Sequence, residues 1–85
     1  MRLRVEGLTW QRIDDDIVVL DLDGSSYLKL NASGAALWEA LADGCDHDGL
    51  VSLLVERYEI ASADADRDVR AFIANLEAAD LLARD

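Results

Sequence analysis

The hydrophobic pattern of this 85-residue chain changes period once, near residue 30. Before that point apolar residues recur every second position, and the β-branched and aromatic side chains concentrate there. Leu8-Thr9-Trp10-Gln11-Arg12-Ile13 reads as a strand, Asp14-Asp15-Asp16 breaks it, and a second strand follows over 17–22. Asp23-Gly24 supplies the next turn, because Asp and Gly tolerate the positive φ that tight hairpins demand. Ser26-Tyr27-Leu28-Lys29-Leu30 forms the third strand. Alternation puts Leu28 and Leu30 on one of its faces and Tyr27 and Lys29 on the other.

Beyond residue 30 the period becomes 3.6, with alanine and leucine dominant, and three helices are expected within about 32–82. Asn31 or Ser33 caps the first, which buries Ala36, Leu37, Ala40 and Leu41 beside Trp38 and stops at Gly44. Asp46 or Asp48 caps the second, where Leu50, Leu53, Leu54 and Tyr58 form a stripe. Ser62 caps the third, and Asp64 and Asp66 place negative charge at the positive end of its dipole. On that helix Ala65, Val69, Phe72 and Leu76 share a buried face, with Ile73 on a flank beside Asp66, Arg70 and Glu77. Short connections between the strands imply an antiparallel meander. The expected architecture is a single α+β domain over 1–85, winged-helix-like, with a three-stranded antiparallel sheet followed by three α-helices.

Composition narrows the function. Apolar residues make up 52% of the chain, enough for a core, but a domain this small leaves little room for a deep active-site cavity. Eighteen acids against eight Lys and Arg give a net charge of −10. Nucleic-acid binders need clustered cations to displace counterions from phosphate, so a DNA-binding winged helix is disfavoured. Anionic membranes repel the chain for the same reason, and no segment approaches a membrane span. Arg2, Arg4 and Arg12 against Glu6 give residues 1–13 a net +2, leaving −12 on residues 14–85. The single cysteine, Cys45, forms no internal disulfide, and a cytoplasmic location is expected.

Candidate chemistry is sparse. Asp14-Asp15-Asp16 reads as a solvated turn, since adjacent carboxylates point apart and the rest of a cation loop is missing. Asp21-Leu22-Asp23-Gly24 lacks the distal ligands of a calcium loop. Cys45-Asp46-His47-Asp48 puts a thiol, an imidazole and two carboxylates within four residues, but a nucleophilic pair needs thiol and imidazole facing each other with a third group orienting the base, and no other Cys or His exists to complete a zinc site. No catalytic, metal or cofactor site is expected. What remains is the third strand, which carries no proline and one lysine to protect its edge from an extended peptide. On pattern alone it reads as a short edge that twists away or is covered by a helix.

The hairpin Leu20-Asp21-Leu22-Asp23-Gly24-Ser25-Ser26-Tyr27, the segment Leu28-Lys29-Leu30-Asn31 and the helix start Gly34-Ala35-Ala36-Leu37-Trp38 together resemble the PqqD family. Leu41-Ala42-Asp43-Gly44, Leu54-Val55-Glu56-Arg57-Tyr58 and Asp68-Val69-Arg70-Ala71-Phe72-Ile73-Ala74-Asn75-Leu76, closing on Asp80-Leu81-Leu82, extend the match over nearly the whole chain. Within the family it looks most like the stand-alone branch that serves lasso-peptide biosynthesis; the alternative is a chaperone that presents a precursor to a radical SAM enzyme in quinone-cofactor biosynthesis. Asp80 stands where the family usually has glycine. The resemblance implies a non-catalytic module that takes the leader of a ribosomal precursor peptide as an added strand and delivers it to a leader peptidase, a cysteine protease, and a cyclase. It assigns Tyr27, Leu28, Lys29 and Leu30 to one wall of the cleft. Val69, Arg70, Ile73 and Leu76 are assigned to the other, with Asp66 at the rim.

Overall fold

The computed structural model describes residues 3–4 and 6–83. Three strands precede three helices: β1 (Leu8–Ile13), β2 (Asp16–Asp21), β3 (Ser26–Leu30), α1 (Ala32–Ala42), α2 (His47–Tyr58) and α3 (Ser62–Ala78). The strands form one antiparallel meander in the order β1-β2-β3. Register pairs Trp10 with Val19 and Val19 with Leu28, while Ile17 faces Arg12 on one side and Leu30 on the other.

Alternation decides what each strand buries. Ile17, Val19 and Leu30 point into a cluster with Leu37, Trp38 and Leu41 of α1, Leu50 and Leu54 of α2, and Ala65, Val69 and Leu76 of α3. Trp38 is fully enclosed, its ring edge-on to Trp10 at 5.4 Å and 81°. Such aromatic pairs add roughly 0.5–1.5 kcal/mol beyond the area they bury. Arg12 at the end of β1 reaches Glu39 on α1, tying helix to sheet at the surface.

The caps resolve the open choices. Asn31 caps α1, its side chain accepting from the Gly34 N–H at 3.1 Å, and Asp46 caps α2 through the Gly49 N–H at 2.8 Å. Helix α3 departs from expectation: Ser62 is its first residue, and the capping position is Ala61, which has no side-chain bond to offer. Neither turn between strands puts glycine at its left-handed position. Asp16 belongs to β2 rather than to the break before it, and the left-handed residue of that turn is Asp14, at φ 57°. Between β2 and β3 the left-handed residue is Ser25, at φ 53°, while the Gly24 N–H donates to the Asp21 carboxylate at 3.1 Å. Leu22, expected in the second strand, lies beyond its end and is 65% exposed.

The C-terminal end explains the departure at Asp80. That residue is left-handed, with φ 59°, and the Leu81 N–H donates to the Leu76 carbonyl at 2.9 Å, closing α3. Glycine suits such a position because it lacks a Cβ, and Asp is among the few other residues that visit it. The geometry survives. Leu81 is buried, the Arg4 N–H donates to its carbonyl at 2.8 Å, and Leu82 bridges Leu3.

Candidate peptide-binding groove

Strand β3 pairs with β2 along one side only, so it is an edge of the sheet. In an antiparallel ladder alternate residues turn their N–H and C=O groups to the neighbour, and the intervening ones turn theirs away. The intervening residues of this five-residue strand therefore present a row of free backbone donors and acceptors. Tyr27 is 75% exposed, Lys29 is exposed, Leu28 is half-buried and Leu30 is buried, as alternation requires.

Beside the end of β3 lies a cavity of about 700 Å³. Lys29 and Leu30 form its strand wall, and Asn31, Ser33 and Gly34 at the start of α1 continue that wall. Leu37, Leu54 and Ile60 make the floor apolar. The opposite wall is α3, which contributes Asp68, Ala71, Phe72 and Asn75, with Tyr58 at the end of α2. Its rim carries Asp16 and Lys29, whose charged ends stand 3.8 Å apart, and Asp68 across from them. This is a cleft between an unpaired strand and a helix, wet at its lip and apolar at its base.

The structure divides the sequence-derived helix residues into two groups. Val69 and Leu76 are core: both are fully buried and unavailable to a ligand. Asp66, Arg70 and Ile73 do not line this cleft; at 100° per residue they stand roughly 160° around α3 from Asp68, Phe72 and Asn75. Arg70 and Ile73 instead border a shallow depression of about 310 Å³ with His47, Ala74 and Glu77. There Asp66 is held by both neighbours: His47 Nε2 and Asp66 Oδ1 lie 2.7 Å apart, and the Arg70 Nε–H donates to the other oxygen at 2.7 Å. The His47 bond, then the Arg70 bond, keeps the Asp66 carboxyl below the usual aspartate range. Asp21 is lowered too, first by the Gly24 N–H and also by Arg4, whose guanidinium is 3.0 Å away.

Phe72 is the residue that sequence reading misplaced: counted as central core, it is half-buried and faces the cleft. Its place at the border of the apolar stripe, flanked by Asp68 and Asn75, is the signal that marks it. Among the described residues, no cluster of three or more His, Cys, Asp or Glu side chains is arranged to hold a metal ion. Nor is any described helix long and apolar enough to cross a membrane.

Comparisons with known proteins bear on this geometry. A family model described as coenzyme PQQ synthesis protein D (PqqD) matches residues 16–82. Two solved structures are similar. One, described as TbiB1 in complex with the TbiA(beta) leader peptide, is 28% identical over the full length of both chains, with a TM-score of 0.91. The other, a lasso peptide synthetase B1 complexed with the leader peptide, is 29% identical over 94% of this chain and 93% of that one, with a TM-score of 0.84. No curated protein matches the chain.

Proposed function

This chain belongs to the PqqD family, and from that premise we propose that it binds the leader of a ribosomally made precursor peptide in lasso-peptide biosynthesis. The single observation that carries the reading is the free edge of β3 beside a cleft against α3, in a chain whose similar structures are both leader-peptide complexes. The leader adds as a fourth strand. Its main-chain bonds to residues 27–30 give affinity with little regard to sequence, and side chains that turn inward meet the cleft and set specificity. The helix wall consists of Asp68, Ala71, Phe72 and Asn75, in place of Arg70 and Ile73.

The role is binding rather than catalysis, in the cytoplasm, with the bound precursor passed to a leader peptidase and a cyclase. Holding the leader raises the local concentration of the attached core peptide at the enzyme that must act on it.

Hydrogen exchange tests the binding mode. Addition of leader slows exchange of those amides within 27–30 that face away from β2. Protection confined to α2, with β3 unchanged, would refute strand addition.

A further inference from the structure

Helix α3 opens with Asp64, Asp66 and Asp68, spaced two residues apart. Two of them are answered from within the helix. Arg67 Nη2 donates to Asp64 at 3.1 Å, and the Arg70 Nε–H donates to Asp66 at 2.7 Å. Asp68 has no such partner among the described residues. A helix supplies ion-pair partners three and four residues ahead, and from Asp68 those positions are Ala71 and Phe72. Asp68 is exposed, and it stands at the lip of the cleft between β3 and α3. Across that cleft Asp16 and Lys29 answer each other at 3.8 Å. The charged side chains that line the cleft are these three, so one negative charge is left over, and it sits on Asp68.

That charge selects the guest. A strand added to β3 runs about 4.8 Å beyond it, over the mouth of the cleft, and takes water away from Asp68. Covering a carboxylate without a counter-charge costs free energy, so a purely apolar side chain is opposed at the lip and an acidic one is repelled. An arginine or lysine suits both parts of the cleft. Its methylene stem crosses the apolar base formed by Leu54, Ile60 and Phe72, and its charged head stays at the wet lip beside Asp68.

We propose that Asp68 is a specificity residue of the cleft, selecting a leader that turns an arginine or lysine side chain into the space between β3 and α3. The inference rests on the leader-binding reading and narrows its guest to a chemical class. A labelled synthetic leader of the pathway's precursor is titrated by fluorescence polarisation against wild type and variants, at low and high salt. Absence of wild-type binding overturns both readings, whereas binding that ignores Asp68 overturns this one alone. Asp68→Asn weakens binding about threefold at low salt and flattens its salt dependence, and Asp68→Lys weakens it about tenfold. Asp64→Asn removes the same charge away from the cleft and changes affinity by less than about 1.5-fold. Each arginine and lysine of the leader is then replaced in turn by glutamate. At one position the glutamate peptide binds wild type about tenfold more weakly and recovers on Asp68→Lys, the coupling expected of two groups in contact. Circular dichroism checks folding, and the near-isosteric Asp68→Asn decides the matter if Asp68→Lys does not fold. Equal losses in Asp68→Asn and Asp64→Asn would assign the effect to the net charge of the chain. A leader that binds with no basic residue, or whose basic residues show no recovery, would give the cleft to an apolar side chain and overturn the proposal.

Discussion

The two flanks of α3 carry similar residues and do different things. On one, Asp68, Phe72 and Asn75 look across a cleft toward an unpaired strand. On the other, Asp66, Arg70 and Ile73 close against the start of α2, where His47 and Arg70 both occupy the Asp66 carboxylate. Each flank has an acid, a half-buried apolar side chain and a polar neighbour. What separates them is the partner. The first flank faces backbone groups that nothing among the described residues pairs with, and the second faces side chains that already satisfy each other. The candidate groove is distinguished here by what its surroundings leave unpaired, not by residue type.

The sharpest way to break this comparison is to truncate the two adjacent apolar residues. Phe72→Ala lowers leader affinity more than tenfold, about 1.4 kcal/mol, while Ile73→Ala changes it less than twofold. Asn75→Arg, on the exposed rim, weakens binding as well without touching the core. Fluorescence polarisation with labelled leader reads all three, and thermal melts confirm that each folds. The reverse ranking, with Ile73 dominant, would move the helix wall to the His47 flank.

This division also shows how far the sequence was readable. Alternation in β3 is a strict two-residue period, so the inward Leu28 and Leu30 and the outward Tyr27 and Lys29 follow from the residues alone. The cap choices narrowed to pairs, and the structure took Asn31 and Asp46. Of the stripe expected on α3, Ala65, Val69 and Leu76 are buried and Phe72 is only half-buried. Periodicity locates the centre of a stripe but is symmetric about it. Which flank turns toward β3 depends on how α3 crosses α2 and the sheet, a tertiary property that no local pattern contains. On a helical wheel Phe72 lies about 40° and Ile73 about 60° from that centre, on opposite sides, and only packing decides which side turns toward the cleft. The absent cap at Ala61 has the same origin, because the turn before α3 is set by Glu59, left-handed at φ 54° at the end of α2.

A substitution that relieves strain just beyond the end of α3 without touching either flank sharpens the comparison from the side of stability. Asp80 holds a left-handed conformation at the end of the helix, where glycine carries no Cβ penalty. Asp80→Gly raises the free energy of unfolding by about 0.5–1 kcal/mol, the release of that strain exceeding the added freedom of the unfolded chain. Urea unfolding measures it, and leader affinity stays within twofold. A loss of affinity would mean that the C-terminal end of α3 belongs to the groove.

The smallest expected effect isolates the second flank. Asp66 is held below its ordinary value of 3.8 by His47 and then Arg70. A carboxyl depressed in the folded state contributes stability that is present above its unfolded value and is lost as pH falls through the folded one. Asp66→Asn removes that contribution, so wild type melts at a higher temperature than the variant near pH 6, and the gap closes as pH drops below about 4. The carboxylate is well solvated, so the gap is modest and shrinks in high salt. Leader affinity at neutral pH is unchanged in the variant, because the groove lies on the far side of the helix. If Asp66→Asn instead weakened leader binding while leaving the pH profile of melting untouched, the acid would be a groove residue, and the distinction between the flanks would fall.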